Sequence, residues 1–330
     1  MPKKRGGRKH LINCTPELVP AFKAVLQTHI AGDPMKPDCL WTNLSMQAIS
    51  RLMSTAGFHA SPYTVEQLLD HCKLGHRQAF KYLTMRQHKD RGQQFDILNS
   101  YKQSFLDSPN PIISIDTKKK EILGLFYRKG RLFTAQGREV FDHDFPSFSK
   151  GIVIPHGIYD FKRNRGYVNL GSSHDTSAFA CDSIFQWWTA EGRDAYSQAK
   201  ELLLLCDGGG SNSASQYLFK EDLQKLVDRI GITIRVAHYP PYCSKYNPIE
   251  HRLFPHVTRA CQAIILECVE QAQYYMSKAA TQTGLKVVVN ILDKVYETGR
   301  TVAEGFKKTM RLVFDNILPK FNYTAIPASV

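Results

Sequence analysis

The run ELLLLCD, residues 201–207, constrains the fold of this chain more than any other stretch. It is too short for a buried helix and offers water no polar face, so it reads as a strand covered on both sides, as in a parallel sheet. Parallel pairing needs crossover connections, and the flanking sequence supplies them. SASQYLFKEDLQKLVDRIG has helical spacing closed by Gly231, ITIRVAH is a strand, and NPIEHRLFPHVTRACQ opens a helix at a proline. Upstream, PIISID and EILGLFYRKG are strands close enough for a hairpin, and YVNLG at 167–171 is a third strand. TSAFACDSIFQWWTAEG then places Phe179, Ile184 and Trp187 at helical spacing. Three strands, helix, strand, helix, strand, helix is an α/β layer, whose parallel crossovers are right-handed.

Ahead of this layer the pattern is helical. Residues 16–31 have helical spacing and AGDPMKPD follows as a turn. In the next stretch Ile49, Leu52 and Met53 mark one helix, Gly57 stops it, Ser61-Pro62 provides an N-cap with proline in the first turn, and Val65, Leu68 and Leu69 mark a second helix. Two short helices across a glycine turn form a helix-turn-helix signal, with Tyr63, Thr64 and Gln67 on the exposed face. An ordinary helical hairpin has the same signature. The basic tract KLGHRQAFKYLTMRQHKDR, with Lys73, Arg77 and Lys81, favours the DNA-binding reading and is itself taken as a short wing or linker. The opening MPKKRGGRKH is a flexible basic arm.

Charge and cysteines narrow the partners. Lys and Arg outnumber Asp and Glu by 43 to 30, a net charge of +13 over 330 residues, which favours nucleic acid first and an anionic membrane surface second. No apolar stretch approaches the ~18 residues of a membrane span. The eight cysteines include no Cys-x-x-Cys pair and follow no secretory h-region, so they read as reduced thiols of a cytoplasmic protein, Cys206 filling core.

Three acids fall at comparable transitions. Asp116 ends the first strand, Asp207 ends ELLLLCD, and Glu250 lies in the first turn of the helix after YPPYCSKYNP. Open α/β sheets bind ligands at strand carboxyl ends, so if the first and fourth strands are neighbours, Asp116 and Asp207 face one another. Adjacent carboxylates repel, and a divalent cation is the natural remedy. With Glu250 the set is all oxygen, which suits Mg2+ or Mn2+ better than Zn2+. Two such ions about 3.5–4 Å apart suit in-line displacement at a phosphodiester. Taken singly, each acid has a plainer reading: Asp207 as a turn former, Glu250 as a helix N-terminal charge, Asp116 as a strand-end cap. Asn212, His238 and Asn247 are candidates to hold phosphates or orient ligands, and His174-Asp175 to cap a helix. Trp187-Trp188 reads as core on one side, with the other ring half exposed.

With these residues identified, the chain resembles the insertion-sequence DDE transposases of the Rhodopirellula-type transposase DDE family. The likeness rests on LLLLCDGGGSNS, HYPPYCSKYNPIEHRLFPHVTRACQ, SSHDTSAFACDSIFQWW, AGDPMKPDCLWTN and HKDRGQQF, and covers nearly the whole chain. It implies a ribonuclease H-like mixed sheet flanked by helices, with Asp116, Asp207 and Glu250 as the catalytic, metal-binding triad. It also implies a small helix-turn-helix, winged-helix-like domain ahead of the sheet that grips element ends. The expected division is a basic arm at 1–15, a DNA-binding domain at 16–95, a catalytic domain at 96–275 and an extension at 276–330 packing on or beside the core. Hydrolysis at element ends would expose a 3′-hydroxyl, which then attacks target DNA. A homo-oligomer on double-stranded DNA, associated with the nucleoid, is the expected working form. Family members are also expected to carry a further DNA-binding segment ahead of the basic stretch at which this sequence begins. A nuclease of the same fold without strand transfer and a non-catalytic DNA-binding regulator are the competing readings. The polar insertion at 129–166 is either a DNA-contacting flap or a solvated excursion.

Overall fold

The computed structural model describes residues 11–27, 31–33, 36–75, 77, 88–209 and 216–328. The chain divides into two compact units, Met1–Leu83 and Thr84–Val330. In the first, α1 (Leu11–Cys14) and α2 (Leu18–Gln27) precede an antiparallel pair, β1 (Ala31–Asp33) and β2 (Lys36–Trp41), followed by α3 (Met46–Thr55) and α4 (Pro62–His71). The AGDPMKPD stretch, expected as a simple turn, thus supplies residues to a short ladder as well. The caps of α3 and α4 follow from sequence: the Ser45 hydroxyl accepts from the Ala48 N–H at 3.1 Å, and the Ser61 hydroxyl from the Thr64 N–H at 3.2 Å. Gly57, at φ 85°, makes the turn between them.

Leu18, Phe22 and Leu26 of α2 bury against Ile49, Met53, Val65 and Leu68. This packing corrects one expectation. Thr64 is buried, and its hydroxyl hydrogen-bonds that of Ser61 at 3.1 Å, so it faces the helix start and not a groove. Its neighbour Tyr63 is 66% exposed, Lys73 and Arg77 are exposed, and Gln67 is half-buried. Lys81, most of the basic tract after Gly75 and the first ten residues lie outside the described residues.

The second unit begins with α5 (Arg91–Leu106), β3 (Ile112–Thr117), β4 (Glu121–Leu123), β5 (Gly151–Asp160) and β6 (Arg165–Gly171). It continues with α6 (Ser177–Trp187), α7 (Arg193–Ala195), β7 (Glu201–Asp207), α8 (Tyr217–Ile230), β8 (Thr233–Tyr239), α9 (Pro248–Arg252), α10 (Phe254–Ala260) and α11 (Val269–Ser277). The chain ends with β9 (Lys286–Ile291), α12 (Phe306–Thr309), β10 (Leu312–Phe314) and β11 (Asn322–Ala325). One mixed sheet runs in the order β10-β11-β8-β7-β3-β5-β6-β9, with β4 on β5. Strand β3 pairs parallel with β7 and antiparallel with β5, while β8 continues parallel beyond β7 and β6 antiparallel beyond β5. This is the ribonuclease H-like mixed sheet, flanked by helices, that the resemblance implies.

The ELLLLCD strand is covered on both faces. Leu202, Leu204 and Cys206 pack with Ile184, Leu223 and Val227 of α6 and α8, and Leu203 and Leu205 pack with Leu98 and Phe105 of α5. Burying one such side chain contributes about 1.5–3 kcal/mol, which makes this strand the anchor of the unit. Trp187 and Trp188 are both buried, at 1% and 5% exposure, so neither ring is free to stack on a partner.

Three elements depart from the sequence reading. The strand at 121–123 pairs antiparallel with β5 instead of forming a hairpin with β3. The insertion at 129–166 contains β5, a largely buried strand between β3 and β6. Residues 91–106, which follow and overlap the basic tract read as a wing or linker, form α5. The buried face of α5 includes Gln94, whose Nε2 donates to the His238 carbonyl at 2.9 Å and to Asn322 Oδ1 at 2.8 Å, while Asn322 Nδ2 donates back at 2.7 Å.

This reciprocal amide pair ties α5 to β8 and β11. Gln94→Leu leaves the buried Asn322 amide short of partners, and the expected loss of stability is about 1–3 kcal/mol. Adding Asn322→Leu should cost less than the sum of the two single changes, as measured by a double-mutant cycle in urea denaturation.

Candidate active site

The parallel register of β3 and β7 brings the first two acids level. Ser114 is the partner of Leu205, so Asp116 and Asp207, each two residues further on, stand side by side at the strand tips. The helix α9 brings Glu250 to the same place, where the Asp116 carboxyl hydrogen-bonds to it. All three are half-buried. Burial pushes the Asp116 carboxyl up to about 8, helped by the neighbouring charges of Asp207 and then Glu250, with the Thr117 N–H opposing. That amide donates to Asp116 Oδ1 at 2.7 Å. Asp207 is raised to about 6, first by burial and then by Glu250, against a hydrogen bond from Asn247.

Asn247 holds the arrangement together. It is fully buried just before α9, its Nδ2 donates to the Ile115 carbonyl at 3.1 Å, its Oδ1 accepts from the Ser114 hydroxyl, and its side chain also bonds Asp207. The Ser114 hydroxyl accepts in turn from the Ile249 N–H at 3.1 Å, satisfying one of the orphan donors of the α9 first turn. Ser114 escaped the sequence reading. Its only signal is a hydroxyl between isoleucines in IISID, on the same strand face as Asp116.

Small residues set how closely α9 and α10 approach the sheet. A Cβ on Gly157, the register partner of Asp116, would meet Phe254 Cε1 at 2.5 Å and Ile249 Cδ1 at 2.8 Å. At Gly166, Leu253 Cδ1 is closer still. The loop before α9 is pinned from the other side, where Arg91 donates to the Tyr246 hydroxyl at 3.2 Å.

The remaining candidates divide. His238 is fully buried, with Nδ1 3.0 Å from the Asp207 carbonyl and Nε2 3.0 Å from the Tyr323 hydroxyl. Burial lowers its pKa to about 4, so it stands neutral and inside the sheet, out of reach of a phosphate; its contact is with the backbone of Asp207. Asn212 lies outside the described residues. Helix α6 is capped by Thr176, not by His174-Asp175: Asp175 accepts from the Thr117 hydroxyl at 3.1 Å, and His174 meets the Tyr296 carbonyl.

Among the described residues, no three His, Cys, Asp or Glu side chains form a ready metal cage. The donor chemistry nevertheless fits a hard divalent cation. All three groups are oxygen donors, Asp207 Oδ1 is buried without a hydrogen-bond partner, and burial with the neighbouring acids raises Asp116, a penalty that a divalent cation would relieve.

A mixed sheet with two acids at adjacent strand tips and a third brought beside them by α9 is the arrangement that the resemblance to DDE transposases implies. Residues 21–327 match the family described as Rhodopirellula transposase DDE domain, and the chain belongs to it. Among solved structures it is similar to the Mos1 mariner paired end complex with Mn, at TM-score 0.43 and 12% identity over 84% of this chain and 73% of that one. The Mos1 paired end complex with Mg matches at TM-score 0.41 and 13% identity over 83% and 73%. The Mos1 strand transfer complex matches at 0.41 and 14% over 84% and 72%. No curated protein matches in sequence.

A carboxyl raised in the folded state favours folding below its unfolded pKa and loses that advantage as pH rises through the folded value. Ionising Asp116 therefore costs the folded chain stability between about pH 4 and pH 8. In EDTA at pH 8, Asp116→Asn should be more stable than the wild type by about 1–3 kcal/mol, the difference vanishing near pH 4. Thermal melts at the two pH values check this; added Mg2+ should raise the wild-type midpoint more than that of the variant.

Proposed function

We propose that this transposase cuts phosphodiester bonds at the ends of its DNA element and joins the 3′-hydroxyl ends to target DNA by in-line transfer. The observation that supports this most strongly is the convergence of Asp116, Asp207 and Glu250, from β3, β7 and α9, in a member of a DDE family. The three acids would hold two Mg2+ or Mn2+ ions. Bound there, these cations would supply Lewis-acid charge to the attacking and leaving oxygens.

The chain itself contributes position. Asn247 fixes the Asp207 carboxylate and, through Ser114, the start of α9, so that two of the acids answer to one buried amide. The Thr117 N–H holds one oxygen of Asp116, and the Asp175 carboxylate accepts from the Thr117 hydroxyl. His238, neutral and buried, braces the carbonyl of Asp207. Holding reacting groups in a preset geometry is worth several kcal/mol of barrier and requires rigid strand tips. Gly208 and Gly209, directly after Asp207, bring no side chains to that tip.

In this reading the first unit grips the element ends through Tyr63, Gln67, Lys73 and Arg77, and its pair of capped helices acts as a helix-turn-helix. The net charge of +13 supplies sequence-independent attraction to the backbone. Acting on two ends calls for a DNA-bound dimer or larger assembly.

Asp116→Asn, Asp207→Asn and Glu250→Gln should each reduce Mg2+-dependent nicking of element-end DNA by at least ~100-fold, because each removes one anionic ligand. DNA affinity should stay within about threefold, since the phosphate contacts lie elsewhere. The paired measurements are a gel nicking assay and fluorescence anisotropy. Collapse of binding along with cleavage would make the acids structural. A strand-transfer assay with a precut end separates a transposase from a nuclease that only hydrolyses.

A further inference from the structure

Between β4 and β5 the chain leaves the sheet for residues 124–150, and Tyr127, Phe133, Phe145 and Phe148 on this excursion are each more than half exposed. Exposed rings in such density mark a binding surface. The excursion is firmly docked. Arg128 donates to the Ile122 carbonyl at 2.7 Å and to the Glu121 carboxylate at 3.2 Å, and reaches the Ile264 carbonyl at 3.4 Å. Gly130, at φ 147°, lies so close to the facing chain that a Cβ would meet the Ala263 nitrogen at 3.0 Å. Glu121 also pairs with Lys118, two residues beyond Asp116, so the excursion is tied to the strand that carries the acidic site.

This docking creates a cavity of about 580 Å3 beside α11. Tyr127, Tyr274 and Tyr275 line it together with Arg128, Arg131 and Arg138, and Glu270 is the acid among its walls. Tyr274 is 57% exposed, and Lys278 Nζ sits 3.9 Å from its ring centroid. Arg128 and Arg138 are paired with Glu121 and Glu267, whereas Arg131 is exposed with no ion-pair partner among the described residues. Tyrosine rings with arginines beside them match a nucleotide: the ring stacks on a base and the guanidinium meets its phosphate. The volume lies within the roughly 300–1,000 Å3 of small-ligand pockets, enough for one nucleotide and too little for a duplex. With Arg128 and Arg138 held by their carboxylate partners, Arg131 is the lining arginine left to meet a phosphate, with Glu270 the acid on the walls.

We propose that this cavity takes one unpaired nucleotide of DNA, its base against Tyr274 and its phosphate on Arg131. The inference rests on the reading of the chain as acting on DNA. Two probes test it, a short perfect duplex and the same duplex with one unpaired 5-iodouracil. The wild type should bind the bulged probe more tightly, and irradiation should crosslink the iodouracil to a peptide containing Tyr127, Tyr274 or Tyr275. Tyr274→Ala and Arg131→Ala, both surface changes, should weaken the bulged complex about tenfold, a usual loss for one stacked base, and leave duplex affinity within about twofold. Tyr274→Phe, which keeps the ring, should bind as the wild type does. Equal affinity for the two probes, equal losses on both, or a crosslink elsewhere overturns the proposal while leaving DNA action intact. A DNA-free chain that sediments as a dimer and becomes a monomer in Tyr274→Ala also overturns it, by assigning the surface to a second copy. Failure of the wild type to bind either probe overturns this inference and the DNA reading together.

Discussion

The parallel pairing of β3 with β7 is the constraint on which the rest of the second unit depends. It lines up two carboxylates at adjacent strand tips, half-buried, each raised first by burial and then by its acidic neighbours. Were both ionised, their charges would push the strands apart. They are held because everything behind them is apolar: Leu202 to Cys206 are each fully buried, alternating between a layer with α6 and α8 and a layer with α5. Dispersion and burial along the strand oppose repulsion at its end. A less continuous run would give the tip freedom to turn Asp207 out toward water.

The third acid reaches the site by a different route, through size and hydrogen bonding more than through strand pairing. Helix α9 is a single short piece, broken from α10 at Leu253, whose φ of −122° and ψ of −59° lie off the helical values. So short a helix has little stability of its own, and its placement comes from tertiary contacts. Gly157 and Gly166 leave room for Ile249, Leu253 and Phe254 to press on the sheet, and Ser114 and Asn247 lock the first turn. The distance between Glu250 and Asp116 is therefore set by the absence of two side chains on β5 and β6 and by one buried amide.

These two mechanisms explain what could be read in the sequence. Strand β7, helix α8 with Gly231 at φ 73°, strand β8 and the proline that opens α9 each carry a strong local signal, and the alternation of elements implies parallel crossovers; that the first and fourth strands are neighbours, which joins Asp116 to Asp207, was only a condition in the sequence and is met in the structure. Strand β5 carried none: its core contains Pro155, His156 and Gly157, and the residues before it are polar and aromatic, so no alternation marks a strand in the middle of a sheet. Helix α5 was hidden because much of its buried face is the Gln94 amide, which satisfies partners more than 140 positions away along the chain. The same blindness placed Thr64 on a surface and gave His238 a phosphate-binding option. Both are polar side chains whose partners are local or buried, and only the packed structure distinguishes that from exposure. Strands β9, β10 and β11, which extend the sheet at both edges, fell in the segment 276–330, expected as an extension packing on or beside the core with no strands named in it.

The electrostatic layout follows from the sign of the substrate. Acids and phosphates repel, so a chain that brings DNA to Asp116, Asp207 and Glu250 needs its attraction elsewhere, and the excess of 13 positive charges does not lie at the strand tips. Attraction of this kind acts over about 10 Å at ordinary salt, long enough to collect DNA and too diffuse to position one bond. Positioning must come from short-range contacts on rigid elements, which the buried amide network behind the acids provides. A bound divalent cation would relieve two repulsions at once, among the carboxylates and between them and the phosphate. On the proposed function, the raised carboxyls and the unpartnered oxygen of Asp207 would belong to one arrangement, a half-buried acidic pocket that a divalent cation and the DNA would complete together.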